Sequence, residues 1–104
     1  MISIYATFAN LAEAKKICHF LVQEKLAACA NIFPTQSIYP WEGKIKNQKE
    51  FAAIIKSNDF DAVAAAIKKR HSYKIPCIVE LKINKTTKEY KAWLLKNLKL
   101  TRQI

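Results

Sequence analysis

The chain has 104 residues, 51% of them hydrophobic and 25% charged, which fits one globular domain over its whole length and leaves little room for a second. Its 18 basic and 8 acidic residues give a net charge of +10, which works against a diffuse carboxylate-rich cation trap and favours anionic partners. The single glycine excludes a dinucleotide fingerprint, a phosphate-binding P-loop and a kinase glycine loop, each of which needs two or more where backbone approaches phosphate.

The first seven residues after Met1, Ile2 to Phe8, are β-branched and aromatic with partial alternation and predict a strand. Asn10 and Glu13 then form a capping-box-like start. In the helix that follows, Ala14, Ile17, Cys18, Leu21 and Val22 make one apolar stripe, and His19 falls on the solvent side.

From Leu26 the period changes to two. LAACANIFPTQSIYPWEGKI, residues 26–45, reads as a long strand that passes Pro34 by a bulge, bend or edge position and turns at Gly43. The return strand runs from Lys44 to about Lys56. Such an arm is longer than one small core can cover, so its apolar part needs a partner.

Ser57 or Asn58 offers a cap for a second helix with Phe60, Val63, Ala64 and Ile67 inward, and the basic run Lys68, Lys69, Arg70 suits its C-terminal end. Pro76 forces an extended chain after His71-Ser-Tyr-Lys-Ile. Cys77 to Ile83 alternates as a fourth strand. Thr86 and Glu89 pattern as a second capping box ahead of Tyr90, Trp93, Leu94 and Leu98. The order β-α-β-β-α-β-α is the split β-α-β plan with an added helix, an α+β fold.

Standard catalytic motifs are missing, with no HExxH, no GxSxG and no acidic calcium loop, so the expectation is a protein that is not an enzyme. Cys18, Cys29 and Cys77 have no paired spacing, which argues against a disulfide framework. The start MISIYATFA lacks a basic leader and no apolar run nears the roughly 20 residues of a membrane span, so the expected setting is reducing and cytoplasmic, with no membrane partner. The lysines are spread along the chain as solvated faces, and KEFAAIIK only loosely echoes an RNA-recognition strand, having one aromatic and no glycine. Nucleic acid is therefore not an expected partner.

Cys29, His71 and Cys77 form the candidate metal set, since thiolate and imidazole suit copper or zinc far better than calcium or magnesium. Their spacing matches no known ligand motif, and the plainer reading is a turn histidine with two small apolar cysteines. Glu50, inside an apolar strand, either pairs with a lysine across the hairpin or faces a cleft.

One resemblance covers nearly the whole chain. Leu26-Ala27-Ala28-Cys29, Asn31, Pro34, Ser37-Ile38-Tyr39, Trp41, Gly43-Lys44-Ile45, Glu50, Ile55-Lys56, His71, Tyr73, Pro76, Tyr90 and Trp93 occur in the order of the CutA divalent-cation tolerance family, which the sequence resembles. The resemblance implies a ferredoxin-like protomer, similar to PII signal-transduction proteins, assembled as a homotrimer through its hairpin strands. It implies metal tolerance without enzymatic activity, copper being the leading divalent metal, with Cys29 and His71 as metal residues. It also implies a ligand cleft with Glu50, Lys56 and Tyr73, and trimer contacts by Ile38, Tyr39, Trp41 and Trp93. The alternative it leaves open is a PII-like regulatory module binding an anion or nucleotide. The chain departs from the family's usual His-Pro-Tyr and Pro-Glu pattern: Ser72 replaces proline, Lys74 stands where an acid is common, and Cys77 replaces glutamate.

Overall fold

The computed structural model describes residues 1–99. Its elements are β1 (Ile2–Phe8), α1 (Leu11–Gln23), β2 (Cys29–Trp41), β3 (Lys44–Ser57), α2 (Phe60–Arg70), β4 (Ile78–Lys82) and α3 (Lys88–Lys96). The four strands form one sheet in the order β2-β3-β1-β4 with every neighbouring pair antiparallel. That arrangement is the ferredoxin-like α+β fold, as expected.

Alternation along β1 divides the sheet into two faces. Ile4, Ala6 and Phe8 are fully buried and pack with Ala53 and Ile55 of β3, with Ile17 and Leu21 of α1 and with Val63 and Ile67 of α2. The opposite face has no such cover over its centre. Tyr5 stands there between Ile54 and Val79, with Leu81 beside Ser3, and Phe33, Val79 and Leu81 remain exposed. A smaller cluster of Ala28, Leu94 and Leu98, with Met1 and Tyr90 against it, ties α3 to one end of the sheet.

The caps explain where the helices start. Asn10 accepts from the Glu13 N–H at 2.8 Å, and the Glu13 carboxylate returns to the Ala9 N–H at 3.2 Å. Asp59, rather than Ser57 or Asn58, caps α2 by accepting from the Ala62 N–H at 3.1 Å. Ser57 ends β3 two residues earlier, and its fully buried hydroxyl donates to the Leu26 carbonyl at 2.6 Å while accepting from the Asp59 N–H at 3.2 Å. Thr87, one residue past the expected Thr86, caps α3. Val22 is exposed despite its place at the margin of the apolar stripe, and β4 begins one residue after Cys77.

The hairpin of β2 and β3 is paired without a break from Cys29↔Lys56 to Trp41↔Lys44. Glu42 and Gly43 at its tip both have positive φ, 50° and 77°, as a two-residue type I′ loop demands. Pro34 causes no bulge, because β2 is the edge strand and its missing N–H interrupts no second ladder. β1 reaches only to the Phe8↔Phe51 pair, so from Glu50 to the tip the hairpin stands alone as an arm about 20 Å long. The molecule measures 45 Å along its longest axis against 27 and 24 Å across.

Candidate metal and ligand cleft

The cleft opens where the arm leaves the sheet. Glu50 is the first β3 residue beyond the reach of β1, and alternation from the inward Phe51 sends its side chain to the face without α1 and α2. It is nonetheless only 4% exposed, because the connector between α2 and β4 folds against it. Tyr73 of that connector donates its hydroxyl to the Glu50 carboxylate at 2.5 Å. The expected lysine partner across the hairpin is therefore replaced by a phenol, and Thr35 is the residue opposite on β2.

Three bonds hold the connector in place. His71 Nδ1 accepts from the Tyr73 N–H at 3.0 Å, so the ring proton lies on Nε2, which donates to the Thr7 carbonyl at 2.7 Å. The ring stacks on Phe8 with centroids 5.2 Å apart and lies 4.8 Å from the Tyr73 ring. The Ser72 N–H donates to Glu13 Oε2 at 2.7 Å, a bond that proline at this position cannot make. Burial raises the Glu13 carboxyl's affinity for its proton, but the Ser72 bonds and the Ala9 N–H outweigh it and hold the group below its ordinary value.

Cys77 completes the floor. Its thiol is pushed above the ordinary thiol range by burial and then by the Glu50 carboxylate, with a hydrogen bond from Thr7 acting the other way. Tyr73 is raised further, by burial first and then by its bond to Glu50, so it stays a proton donor at neutral pH. Around this floor the cleft encloses about 650 Å³. Ile38, Tyr39 and Trp41 of the arm and Ile75 of the connector supply apolar wall, and Lys46 and Lys74 supply positive charge.

The candidate residues thus separate. Glu50, Tyr73 and Cys77 meet in the cleft, together with Ile38, Tyr39 and Trp41. Lys56 does not line it. It lies six residues from Glu50 along β3, about 20 Å by strand rise, and donates to Asn31 Oδ1 at 3.3 Å. Cys29 also lies apart within the protomer, since its partner Lys56 is four residues from Ala52, the partner of Thr7, or about 13 Å along the sheet. Its thiol is 3.7 Å from Asn31 Oδ1, and the Tyr90 hydroxyl is raised by burial first and then by the nearby Cys29 thiol. His71 has both ring nitrogens committed to backbone. Cys29, His71 and Cys77 are therefore not one metal cluster in a single chain, and no group of three or more His, Cys, Asp or Glu suited to a metal occurs among the described residues. Trp93 is half exposed and stacks on Tyr90 at 5.7 Å, at the α3 end.

Thr7, Lys46 and Gln48 also line the cleft without having been singled out from the sequence. The signal for Thr7 was its outward place in the alternation of β1. Glu13 carried no local signal for its contact with Ser72, 59 residues away.

A family model described as CutA1 divalent ion tolerance protein matches residues 2–97. The chain belongs to the CutA1 family. The divalent-cation tolerance protein CutA of Archaeoglobus fulgidus is 45% identical over 93 residues, spanning 88% of this chain and 91% of that protein. CutA1 from Pyrococcus horikoshii superposes with a TM-score of 0.92 at 33% identity, over 96% of this chain and 100% of the other. A structure described as the periplasmic divalent cation tolerance protein CutA from Archaeoglobus fulgidus gives a TM-score of 0.91 at 41% identity, over 94% and 98% of the two chains. Divalent-cation tolerance is accordingly the general role of this CutA protein.

Proposed function

We propose that the protein works as a homotrimer, without enzymatic activity, and binds a thiophilic divalent metal, copper or zinc, at the cleft floored by Cys77 and Glu50. The observation that carries this reading is the meeting of that thiol with a nine-tenths-buried carboxylate in one cleft. A thiolate and a carboxylate together favour zinc and copper over magnesium or calcium. Cys77 and Glu50 are the donors that would hold the ion, and Tyr73, held by His71, keeps Glu50 in place.

The trimer is supported by the apolar sheet face around Tyr5, Phe33, Val79 and Leu81, and by an arm whose Ile38 and Ile45 are 69% and 74% exposed. Apolar surface of this extent on a small protein marks an association face. Ile38, Tyr39 and Trp41 belong both to the arm and to the cleft wall, which supports a cleft at the boundary between subunits. Three free thiols suit a reducing, cytoplasmic setting. No helix among the described residues is long and apolar enough to cross a membrane.

Titration of the reduced protein with zinc or copper, read by calorimetry and by native mass, tests both parts. Saturable binding lost in Cys77→Ser, on a trimeric mass, is the expected result. Undiminished binding by that variant, or a monomeric mass, overturns the corresponding part. The second reading, a PII-like module for anions, draws on Lys46 and Lys74 in the wall, and metal-independent anion binding that collapses with added salt favours it.

A further inference from the structure

We propose that the cleft binds a small aromatic carboxylate, its ring laid on Tyr39, Trp41 and Ile75 and its carboxylate held by Lys46 and Lys74. This rests on the anion-module reading above and names its ligand class, and no metal enters it.

Three observations carry it. The first is charge. Among the residues lining the cleft, Lys46 and Lys74 are the cations and Glu50 is the single carboxylate, already taken up by the Tyr73 hydroxyl. Burial and the Glu50 charge keep the Cys77 thiol and the Tyr73 phenol protonated at neutral pH. Two lysines against one carboxylate leave a net positive charge, which suits a single anionic group.

The second is placement. Lys46, Gln48 and Glu50 share one face of β3, with Tyr39 opposite Lys46 on β2 and Trp41 two residues beyond Tyr39. Lys46 stands about 13 Å along the strand from Glu50, more than a Debye length at physiological salt, so an anion at Lys46 is largely screened from that carboxylate. The Tyr39 hydroxyl donates to Gln48 Oε1, which leaves the Gln48 amide N–H groups as further donors beside Lys46.

The third is surface and size. Trp41 and Ile75 are 38% and 71% exposed although both line the cleft, and a flat ring laid across them and Tyr39 removes apolar surface from water. A space of about 650 Å³ lies within the range of small-molecule sites. The lining holds no arginine and no glycine, so a polyphosphate would find neither a bidentate fork nor a backbone cradle there. One carboxylate on an aromatic body is the better match.

Equilibrium dialysis of 2-naphthoate against the full chain, beside its uncharged counterpart 2-naphthamide, tests the proposal. The lysines are open to solvent, so their pairs are screened, and naphthoate should bind about fivefold more tightly than the amide. Lys46→Met/Lys74→Met should bring the two ligands level while still binding the amide, which certifies its fold. Lys68→Met/Lys69→Met on α2 should leave the fivefold difference intact, and Trp41→Ala should weaken both ligands alike. Equal binding of the two ligands by the parent, the same loss in the α2 variant, or no effect of Trp41→Ala overturns the proposal. Inorganic phosphate retained while naphthoate is not overturns it and leaves the anion reading standing. Retention of neither brings both down.

Discussion

Cys29 and Cys77 both serve the sheet face that α1 and α2 leave uncovered, and their surroundings are opposite. At the Cys29 end, α3 packs down through Ala28, Leu94 and Leu98, and the thiol and Lys56 both meet Asn31 Oδ1. At the Cys77 end no helix among the described residues covers the face, and the thiol lines one cleft with a buried carboxylate and arm residues. The difference teaches that a cysteine's chemistry here is set by which end of the sheet α3 covers. Cys29, the family's strand cysteine, is satisfied internally, while Cys77, which departs from the family pattern, faces the cleft.

The largest expected effect separates these two thiols directly. Cys77→Ser should weaken zinc binding by at least about 100-fold, because serine supplies no thiolate, while Cys29→Ser should leave it unchanged. Calorimetric titration of the two variants side by side checks this. Equal losses would erase the contrast and return Cys29 to the metal site through a neighbouring subunit.

The next effect concerns the connector. His71→Ala removes two hydrogen bonds and the stack on Phe8, which together should cost roughly 2 to 4 kcal/mol of stability at about 1 kcal/mol per bond and per aromatic contact. A residue that only positions Tyr73 can be partly rescued by His71→Gln, whose amide keeps a donor for the Thr7 carbonyl. Denaturant midpoints together with zinc titrations distinguish the roles. A rescued midpoint with rescued zinc affinity marks positioning, and a rescued midpoint with affinity still lost marks a metal ligand.

Much of this fold was legible beforehand because its signals are local. The capping pattern at Asn10 and Glu13, the alternation of β1 and the turn at Gly43 each act within a few residues, and the elements formed where those signals lie. Boundaries shifted where a tertiary element held a candidate residue, as when β3 ran on through Ser57 and left the cap of α2 to Asp59. The cleft was only half legible. Glu50 and Tyr73 could be paired through the family pattern, but that Lys56 and Cys29 lie at the other end of the sheet within one chain depends on strand register, a non-local quantity. A few residues along β3 amount to more than the width of any ligand site.

The contrast sharpens further with pH. Metal binding at Cys77 needs the thiolate, and its thiol lies above the ordinary range through burial and the Glu50 charge, so the ion must displace a proton. Apparent zinc affinity should rise about tenfold per unit between roughly pH 6 and 8, with one proton released per ion. Titration in buffers of different ionisation enthalpy counts that proton. A flat profile would assign the ion to carboxylates alone and remove the distinction between the two thiols.

The smallest effect tests what holds the cleft end together. Glu13 is part-buried, so solvent only partly screens its bonds to Ser72 and Ala9, and Glu13→Gln should cost about 1 kcal/mol at neutral pH. Because the folded-state value of Glu13 is depressed, its contribution is present above the unfolded carboxyl value. It is lost as the pH falls below 4.5 and through the lower folded value. Unfolding curves of the parent and variant should therefore differ at neutral pH and converge in strong acid. A difference that persists in acid would mean that shape, rather than charge, ties helix α1 to the connector, and Ser72→Pro, which deletes the N–H and keeps Glu13, would then be the more damaging change.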